Sequence, residues 1–334
     1  MPTHNRKKLL ILSRHPETAS FRQRVAMFFD ALGDVGIEYE ILQIPRKSSQ
    51  CIKVFAKARD FDCVFLHKKR LNRIEKFFLK RFAKKIIYDF DDAVMYDNSN
   101  PEKHNKKKFT KFVNTIKAVD TVIAGNQYLA DIALKFNPNV KILPTGLDLS
   151  QYIVAKKGTE TDHVKLVWIG SGSNLEYLKQ ISPALEQIGK KYKNVSLKII
   201  CNEFFDLENM AVEKIEWSQQ SQGQELADCD IGLGPLPDDN FTRGKCGFKL
   251  LQYAAASLPI IASPVGVNAE IIKDGTNGFH AINCGEWIEK LSIMVKDKKQ
   301  RIQMGKASLT IAEKYNISAL SKKFTNIILE TLSE

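Results

Sequence analysis

Cysteine is scarce in this sequence, and its six residues are scattered without a C-x-x-C pair or any spacing typical of a metal site. That scarcity excludes a disulfide scaffold or a zinc module and is typical of reduced, mostly buried thiols in a cytoplasmic protein. No apolar run approaches the roughly 20 residues of a membrane-spanning helix. The short run at residues 9–12 is too short for a signal peptide. Low-complexity tracts are also absent, so we expect a chain that folds into globular domains.

Positive charge is in excess, and it is unevenly distributed. The chain carries a formal net charge of +12. Residues 1–147 hold 28 Lys and Arg against 15 Asp and Glu, whereas the remainder is close to neutral. This asymmetry predicts two surfaces with different partners.

The densest basic segment is residues 66–85, where Glu75 is the only acidic residue. Near-helical spacing of its apolar residues predicts an amphipathic helix with the basic residues largely outward. The predicted inward residues are Leu71, Ile74, Phe78 and Phe82, and the predicted outward ones are Lys68, Lys69, Arg73, Lys76, Lys80 and Lys84. Such a face is a solvated helix surface, a site for anionic lipid, or a nucleic-acid site. The last is disfavoured because no nucleic-acid-binding motif accompanies it.

Strand-like apolar runs alternate with amphipathic helical segments along the whole chain, which is the pattern of parallel sheets covered by helices. Six such strands come before the break at Pro144-Thr145-Gly146, and five more begin at Val164. We therefore predict an α/β protein with two Rossmann-like domains facing a central cleft. The predicted bounds are 1–150 for the first domain, 151–163 for a linker and 164–334 for the second domain.

Residues 242–272 are the most informative segment. A basic loop containing glycine, with Arg243, Lys245 and Gly247, leads into an apolar-periodic helix. Helix N-termini with nearby cations suit phosphate. Lys249 and Gln252 are three residues apart on one helix face, so the cation could meet a diphosphate while the amide meets sugar hydroxyls. The alternative is an ordinary helix–strand pair with a solvated lysine.

This segment resembles the donor-binding signature of the family-4 glycosyltransferases of group 1 type, and the resemblance extends over essentially the whole chain. It implies a GT-B fold, a retaining transfer and a nucleotide-sugar donor, UDP- or GDP-linked, with no metal or other cofactor required. It also implies that the final helix packs back on the first domain. Two departures stand out: Gln252 replaces the Glu expected on the ribose hydroxyls, and Gly244 stands where the first Glu of the two-carboxylate motif falls.

The resemblance extends to other residues of the second domain. Arg243 and Lys249 are expected on the donor diphosphate as catalytic cations that stabilise the leaving group. The Gly-rich loop after the first strand of this domain is expected to face the phosphates. The further donor-binding candidates are Gly170, Ser171, Gly172, Ser173, Trp217, Lys245, Gln252, Asn268 and Glu270. A lone Trp is more often a core residue, which is the alternative for Trp217.

The first domain is expected to bind the acceptor. Asp91 falls where many relatives have a His close to the transferred sugar, and it is the third catalytic candidate. Without the family, Asp89-x-Asp91 also resembles a metal-binding Asp-x-Asp motif, an alternative that the two-domain pattern disfavours. The remaining candidates lie at strand ends or at a helix start, where ordinary surface or core roles are also possible. They are Ser20, Arg22, Arg24, His67, Asp92 and Asn126.

The resemblance therefore implies a glycosyltransferase, which we expect to serve cell-surface polysaccharide or glycoconjugate synthesis with a glycan or lipid-linked acceptor. We expect a cytoplasmic protein, peripheral on the inner membrane face through its basic first domain. The alternatives are a catalytically silent sugar-nucleotide-binding subunit, favoured by Gln252, and a nucleotide-sugar epimerase. A nucleic-acid-binding protein is suggested by the charge alone.

Overall fold

The computed structural model describes residues 6–97, 101, 105–154 and 162–333. The chain divides into two compact units. Unit 1 comprises Met1–Gly146, Asp239–Cys246 and Ile317–Glu334, and unit 2 comprises Leu147–Asp238 and Gly247–Asn316. Of the predicted linker at 151–163, residues 155–161 lie outside the described residues.

Unit 1 is built on a six-stranded, all-parallel sheet in the order β2-β1-β3-β4-β5-β6. Its strands are β1 (Lys7–Ser13), β2 (Ile37–Gln43), β3 (Cys63–His67), β4 (Ile86–Phe90), β5 (Thr121–Ala124) and β6 (Val140–Ile142). Its helices within the first 146 residues are α1 (Ala19–Arg24), α2 (Phe29–Asp34), α3 (Ser48–Ala56), α4 (Arg73–Phe82), α5 (Lys106–Ile116) and α6 (Gln127–Leu134).

Unit 2 contains a second six-stranded parallel sheet, in the order β12-β11-β10-β7-β8-β9. Its strands are β7 (Val164–Ile169), β8 (Val195–Cys201), β9 (Ala211–Glu216), β10 (Ile231–Gly234), β11 (Ile260–Ala262) and β12 (Gly278–His280). Its helices are α7 (Leu175–Lys179), α8 (Ser182–Lys191), α9 (Gln222–Ala227), α10 (Phe248–Ala255), α11 (Val267–Ile271), α12 (Cys284–Lys296) and α13 (Lys298–Glu313).

The last helix, α14 (Ile317–Ser333), belongs to unit 1. Its Phe324 ring stacks on Phe28 with ring centroids 4.4 Å apart, and the Thr331 and Thr121 hydroxyl oxygens are 2.7 Å apart. Apolar side chains of α14 therefore complete the core on one face of the unit 1 sheet.

The predicted α/β class and the eleven predicted strands are confirmed. The sequence analysis missed β12, because Gly-Phe-His has no apolar run of its own. This strand exists through its pairing with β11, where Ile260 lies opposite Gly278. The segment Asp239–Cys246, predicted within the second domain, groups with unit 1 instead.

The prediction for residues 66–85 was partly wrong. The helix begins only at Arg73, because Asn72 caps it and forms a capping box with Glu75. Residues 68 and 69 therefore lie in the preceding loop and turn inward: the Lys69 ammonium is 2.8 Å from Glu75 Oε1, and both side chains are buried. Ile74, predicted to face inward, is 58% exposed.

Within the described residues, no helix combines the length and the apolar character needed to cross a membrane.

Candidate active site

A buried charged network lies at the carboxyl ends of β3 and β4 in unit 1. Asp89, on β4, accepts hydrogen bonds from the Arg24 guanidinium and lies 2.9 Å from His67 Nδ1. Arg24 also donates from Nη1 to the Leu143 carbonyl at 2.6 Å. All three charged or polar side chains are at most 4% exposed. The predicted cleft residues Arg24 and His67 are therefore fixed to one carboxylate that the sequence analysis did not select.

Lys68 links three of the predicted residues. Its ammonium lies 2.5 Å from Asp92 Oδ2 and donates to Ser20 Oγ at 3.0 Å. The same ammonium forms an ion pair with Asp91 Oδ1 at 2.7 Å. Asp91 itself is 3% exposed. The predicted residues Ser20, Asp91 and Asp92 are thus brought together by a lysine that was predicted to face solvent.

These ion pairs decide the protonation states. Burial alone would raise the pKa of Asp89, but Arg24 and His67 hold it below the ordinary value. Burial likewise opposes ionisation of Asp91, yet the charges of Lys68 and Arg24 keep its pKa lowered. Burial would lower the pKa of Lys68, and the carboxylates of Asp91 and Asp92 raise it instead. The site therefore holds ionised carboxylates beside fixed cations at neutral pH.

The alternative of a metal held by Asp89-x-Asp91 does not fit this arrangement. The two carboxylates are neutralised separately, Asp89 by Arg24 and Asp91 by Lys68. Among the residues that the structure describes, no group of three His, Cys, Asp or Glu side chains is placed to hold a metal ion.

The segment Asp239–Cys246 packs beside this network. Asn126 caps α6 by accepting from Leu129 N at 2.9 Å, and its Nδ2 donates to the Lys245 carbonyl at 3.2 Å. A Cβ at Gly244 would lie 2.6 Å from Ala93 Cβ and 2.9 Å from Ala93 N. The residue at 244 therefore has no room for the Glu of the commoner motif.

Arg243 and Lys245 have different surroundings within this segment. Arg243 is exposed, and the Lys245 ammonium lies 5.0 Å from the centre of the Phe241 ring. In the last turn of α1, Arg22 donates from Nη1 to the Glu17 carbonyl at 2.9 Å. Both Arg22 and Ser20 are half-buried.

In unit 2, Trp168 at the end of β7 connects the two predicted phosphate-binding elements. The Lys249 ammonium, in the first turn of α10, lies 4.3 Å from the centre of the Trp168 ring. The same ring lies against Gly170, where a Cβ would be 2.6 Å from it. The glycine-rich loop after β7 and the start of α10 are therefore neighbours, as a diphosphate site would require.

The first turn of α10 has the electrostatics of an anion site. Its N-cap, Gly247, has φ of +68° and no side chain, so no side-chain oxygen caps the helix. The partial positive charge of a helix N-terminus is therefore combined with the Lys249 ammonium.

The loop after β7 is held by its own side chains. The Ser171 and Ser173 hydroxyl oxygens are 2.9 Å apart, and both residues are exposed. Gly172 N donates to Asn202 Oδ1 at 2.9 Å. The loop thus presents two hydroxyls to solvent on a fixed backbone.

Gln252 is buried, at 4% exposure, within a network that includes two residues the sequence analysis missed. Its amide nitrogen donates to Gln222 Oε1 at 2.9 Å and to Tyr152 Oη at 3.2 Å. Gln222 Oε1 also accepts from Trp217 Nε1 at 3.3 Å. Trp217 is 38% exposed, so it is not a core residue. Burial raises the pKa of Tyr152 to about 12.

This network gives a physical reason for the amide at 252. An amide can donate to Gln222 Oε1, whereas a carboxylate there would place two acceptors against each other. The sequence signal for the network was weak, because Gln222 and Tyr152 are 30 and 100 residues away from Gln252.

The last two donor-binding candidates, Asn268 and Glu270, differ in burial. Asn268 is buried and its Nδ2 donates to the Ser263 carbonyl at 3.3 Å, so it holds the loop after β11. Glu270, on α11, is exposed.

The most important residues missed in unit 1 are Lys68 and Asp89. A signal for Lys68 was present: the capping box Asn72-x-x-Glu75 marks a helix start after it. Asp89 was recognised only as half of a possible metal motif, because nothing in the local sequence shows that Arg24 lies opposite it.

Comparison with known protein families finds a match over the part of the chain that contains Lys249. Residues 136–297 match the family model described as Glycosyl transferases group 1. A stretch of 106 residues is 26% identical to D-inositol 3-phosphate glycosyltransferase of Corynebacterium aurimucosum. That stretch is 31% of this chain and 24% of the relative, so the match spans about a quarter of the relative's length.

Solved structures match over nearly the whole chain. Sucrose-phosphate synthase from Thermosynechococcus elongatus superposes with a TM-score of 0.78 at 11% identity, covering 98% of this chain and 100% of that one. The Anabaena protein Alr3699/HepE, in complex with UDP and glucose, superposes with a TM-score of 0.72 at 12% identity, covering 96% and 99%. The chain therefore has the fold of the GT-B glycosyltransferases, and its residues 136–297 are similar to the glycosyl transferases group 1 family.

Proposed function

We propose that this protein is a retaining, metal-independent glycosyltransferase that moves a sugar from a UDP-sugar to a glycan or lipid-linked acceptor. The acceptor belongs to cell-surface polysaccharide or glycoconjugate synthesis. Unit 2 binds the donor and unit 1 binds the acceptor. The observation that carries the proposal is the Lys249 ammonium on Trp168, beside the Gly170 loop and at the open start of α10.

A solved structure with the same fold supports the choice of UDP. HepE, which shares the fold, was solved with UDP and glucose. In the present chain the exposed Trp217 lies at the end of β9 and is linked through Gln222 to Gln252. This places an aromatic surface and an amide oxygen together, where a base and its ribose hydroxyls could be held.

The reaction breaks the bond between the anomeric carbon of the donor and the diphosphate oxygen, whose electrons stay with the departing nucleoside diphosphate. The acceptor hydroxyl oxygen forms the new bond, and its proton passes to the leaving phosphate. Lys249 and the start of α10 stabilise the negative charge that develops on the diphosphate. Asp91, ionised beside Lys68, binds a sugar hydroxyl or stabilises the positive charge that develops on the sugar.

Nucleotide binding tests the donor site directly. We expect calorimetric titration to show saturable binding of UDP, weaker binding of GDP, and no loss of affinity after chelation of divalent metal. Lys249→Ala should weaken UDP binding roughly 10- to 100-fold, because a charge-assisted hydrogen bond contributes about 1.5–3 kcal/mol.

The matched control is Lys191→Ala, which also removes an ammonium lying over an aromatic ring of unit 2, 5.3 Å from the centre of Tyr192. That variant should bind UDP like the wild type. Absence of binding to both nucleotides would contradict the proposed activity while leaving the fold unchanged.

We further propose that unit 1 associates with an anionic membrane surface through α4. Ile74 and Phe77 are 58% and 64% exposed on this helix. Basic residues surround Phe77 in a shallow surface depression, among them Arg73, Lys76 and Lys80. Exposed apolar side chains inserted between lipids and cations at the headgroups are the two components of interfacial binding.

Vesicle binding tests this surface. Phe77→Ser should reduce co-sedimentation with phosphatidylglycerol-containing vesicles about tenfold, because burying an aromatic side chain contributes about 1.5–3 kcal/mol. Leu134→Ser, at another exposed apolar residue of unit 1 (47% exposed), should have no effect. Binding that is independent of anionic lipid content would refute the proposal.

A further inference from the structure

Unit 1 contains a cavity of about 490 Å³ whose lining is strongly basic. Seven of its ten lining residues are Arg, Lys or His, and none is acidic. Residues from the loop after β1, the loop after β3 and helix α5 meet here, and they include Arg14, Lys68, Lys69, Arg70 and Lys111. The volume is within the range of pockets that hold small molecules, about 300–1,000 Å³.

Two of these cations are already neutralised, and three are not. Lys68 is paired with Asp91 and Asp92, and Lys69 with Glu75. Among the described residues, no carboxylate lies within 4.0 Å of Arg14, Arg70 or Lys111. In addition, Arg14 Nε is buried without a hydrogen-bond partner. Buried donors without partners are uncommon in proteins, and an acceptor bound in the cavity would satisfy this atom.

The cations also repel one another. Burial lowers the pKa of Arg70, and the positive charge of Arg14 lowers it further. Burial is also the first cause of the lowered pKa of Lys111, and the charges of Lys69 and Arg70 add to it. A bound anion would relieve this repulsion.

The backbone of the cavity wall is itself unusual. Lys68 has a backbone φ of +54°, a conformation that residues other than glycine rarely adopt. Its N–H donates to the Asp89 carbonyl at 2.8 Å. This turn at the end of β3 brings residues 68–70 to the cavity, and such strained residues cluster at functional sites.

We propose that this cavity binds a phosphate group carried by the acceptor, with Arg14, Arg70 and Lys111 as its ligands. The proposal rests on the proposed function in one respect, the assignment of the acceptor to unit 1. The phosphate would lie next to Ser20 and Lys68, which line the same cavity and lead to Asp91. The acceptor is then a sugar phosphate in solution or a sugar linked to a lipid through phosphate.

Phosphate binding tests the proposal, with the donor site occupied by saturating UDP. Calorimetric titration of the full chain with inorganic phosphate should show binding to the wild type. Arg14→Gln and Lys111→Gln should each weaken it about tenfold or more. Lys135→Gln removes a cation from an exposed position of unit 1 outside the cavity and should leave phosphate affinity unchanged.

A second titration distinguishes the two sources of phosphate. Phosphatidylcholine vesicles that contain a polyprenyl phosphate are compared with vesicles that contain phosphatidylglycerol at the same charge. Binding of free phosphate to the cavity supports a soluble sugar phosphate. A preference for polyprenyl phosphate that is lost in Lys111→Gln supports a lipid-linked acceptor. No binding of either probe, or an equal loss in Lys135→Gln, overturns the proposal.

The donor-site proposal and the phosphate-cavity proposal can be contradicted independently of each other. In the variant Lys249→Ala, phosphate binding to the cavity should persist although UDP binding is weakened. Phosphate binding without any UDP binding contradicts only the donor assignment. UDP binding in the wild type without binding of either phosphate probe contradicts only the phosphate cavity.

Discussion

Replacing Arg24 with methionine is expected to lower the free energy of unfolding of unit 1 by about 3–5 kcal/mol, because it leaves the buried Asp89 carboxylate without its main cation. Both side chains are 1% exposed, so water cannot take over the role of the guanidinium. His67 remains as a partner at 2.9 Å, which limits the loss. Methionine has a similar length, so the variant tests the charge more than the volume.

The measurement can separate the two units. All three tryptophans, Trp168, Trp217 and Trp287, lie in unit 2. We therefore follow urea unfolding by far-UV circular dichroism. In Arg24→Met, unit 1 should unfold at a lower urea concentration than in the wild type. Tryptophan fluorescence should not report this transition. The control is Lys141→Met, which breaks an ion pair of unit 1 with side chains 40% and 56% exposed. This control should lower the free energy of unfolding by about 1 kcal/mol or less.

The pH dependence of this loss has a definite sign. The pKa of Asp89 is lowered in the folded protein, so its ion pair contributes stability that is present above the ordinary Asp pKa of about 3.9. That stability is lost as the pH falls through the folded-state pKa. The difference between wild type and Arg24→Met should therefore be largest near neutral pH and shrink below about pH 4. An equal difference in the free energy of unfolding near neutral pH and below about pH 4 would show that the Asp89 charge does not cause the destabilisation.

Asp91→Asn is expected to lower kcat about 10- to 100-fold, because a hydrogen bond accepted by a buried carboxylate contributes about 1.5–3 kcal/mol. The readout is release of UDP from a UDP-sugar. The matched control is Asp92→Asn, which shares the Lys68 ammonium but has a side chain 39% exposed instead of 5%. Its effect should be less than about threefold, since solvent screens an exposed charge.

A pH profile distinguishes a role of the Asp91 charge from a role in folding. Lys68 lowers the pKa of Asp91, so Lys68→Met should raise that pKa. The acid limb of the kcat profile should then move to higher pH, while circular dichroism shows an unchanged fold. A profile with the wild-type acid limb would mean that ionised Asp91 is not required for turnover.

The periodicity of the chain was sufficient to predict the α/β class and eleven of the twelve strands. Buried parallel strands are continuous apolar runs that local sequence shows directly. The strand β12 was missed because three residues with one aromatic carry no such signal, and its pairing partner decides its conformation.

The two departures from the family pattern have explanations that only packing reveals. Gly244 is required by its approach to Ala93, although 151 positions separate them along the chain. Gln252 fits because its amide donates to Gln222 and Tyr152. Without coordinates, both residues look like losses from a motif.

The sequence by itself determined the two parallel sheets, the start of α10 with Lys249, and the excess of basic residues in the first half. These depend on neighbours a few residues apart, through strand and helix periodicity. Only the tertiary structure decided that Lys68 turns inward to Asp91, that Arg24 is paired with Asp89, and that Arg14 and Lys111 share one cavity. The physical reason is that parallel strands bring together residues far apart in the chain, and whether a charge is buried and paired depends on what the rest of the sheet places opposite it.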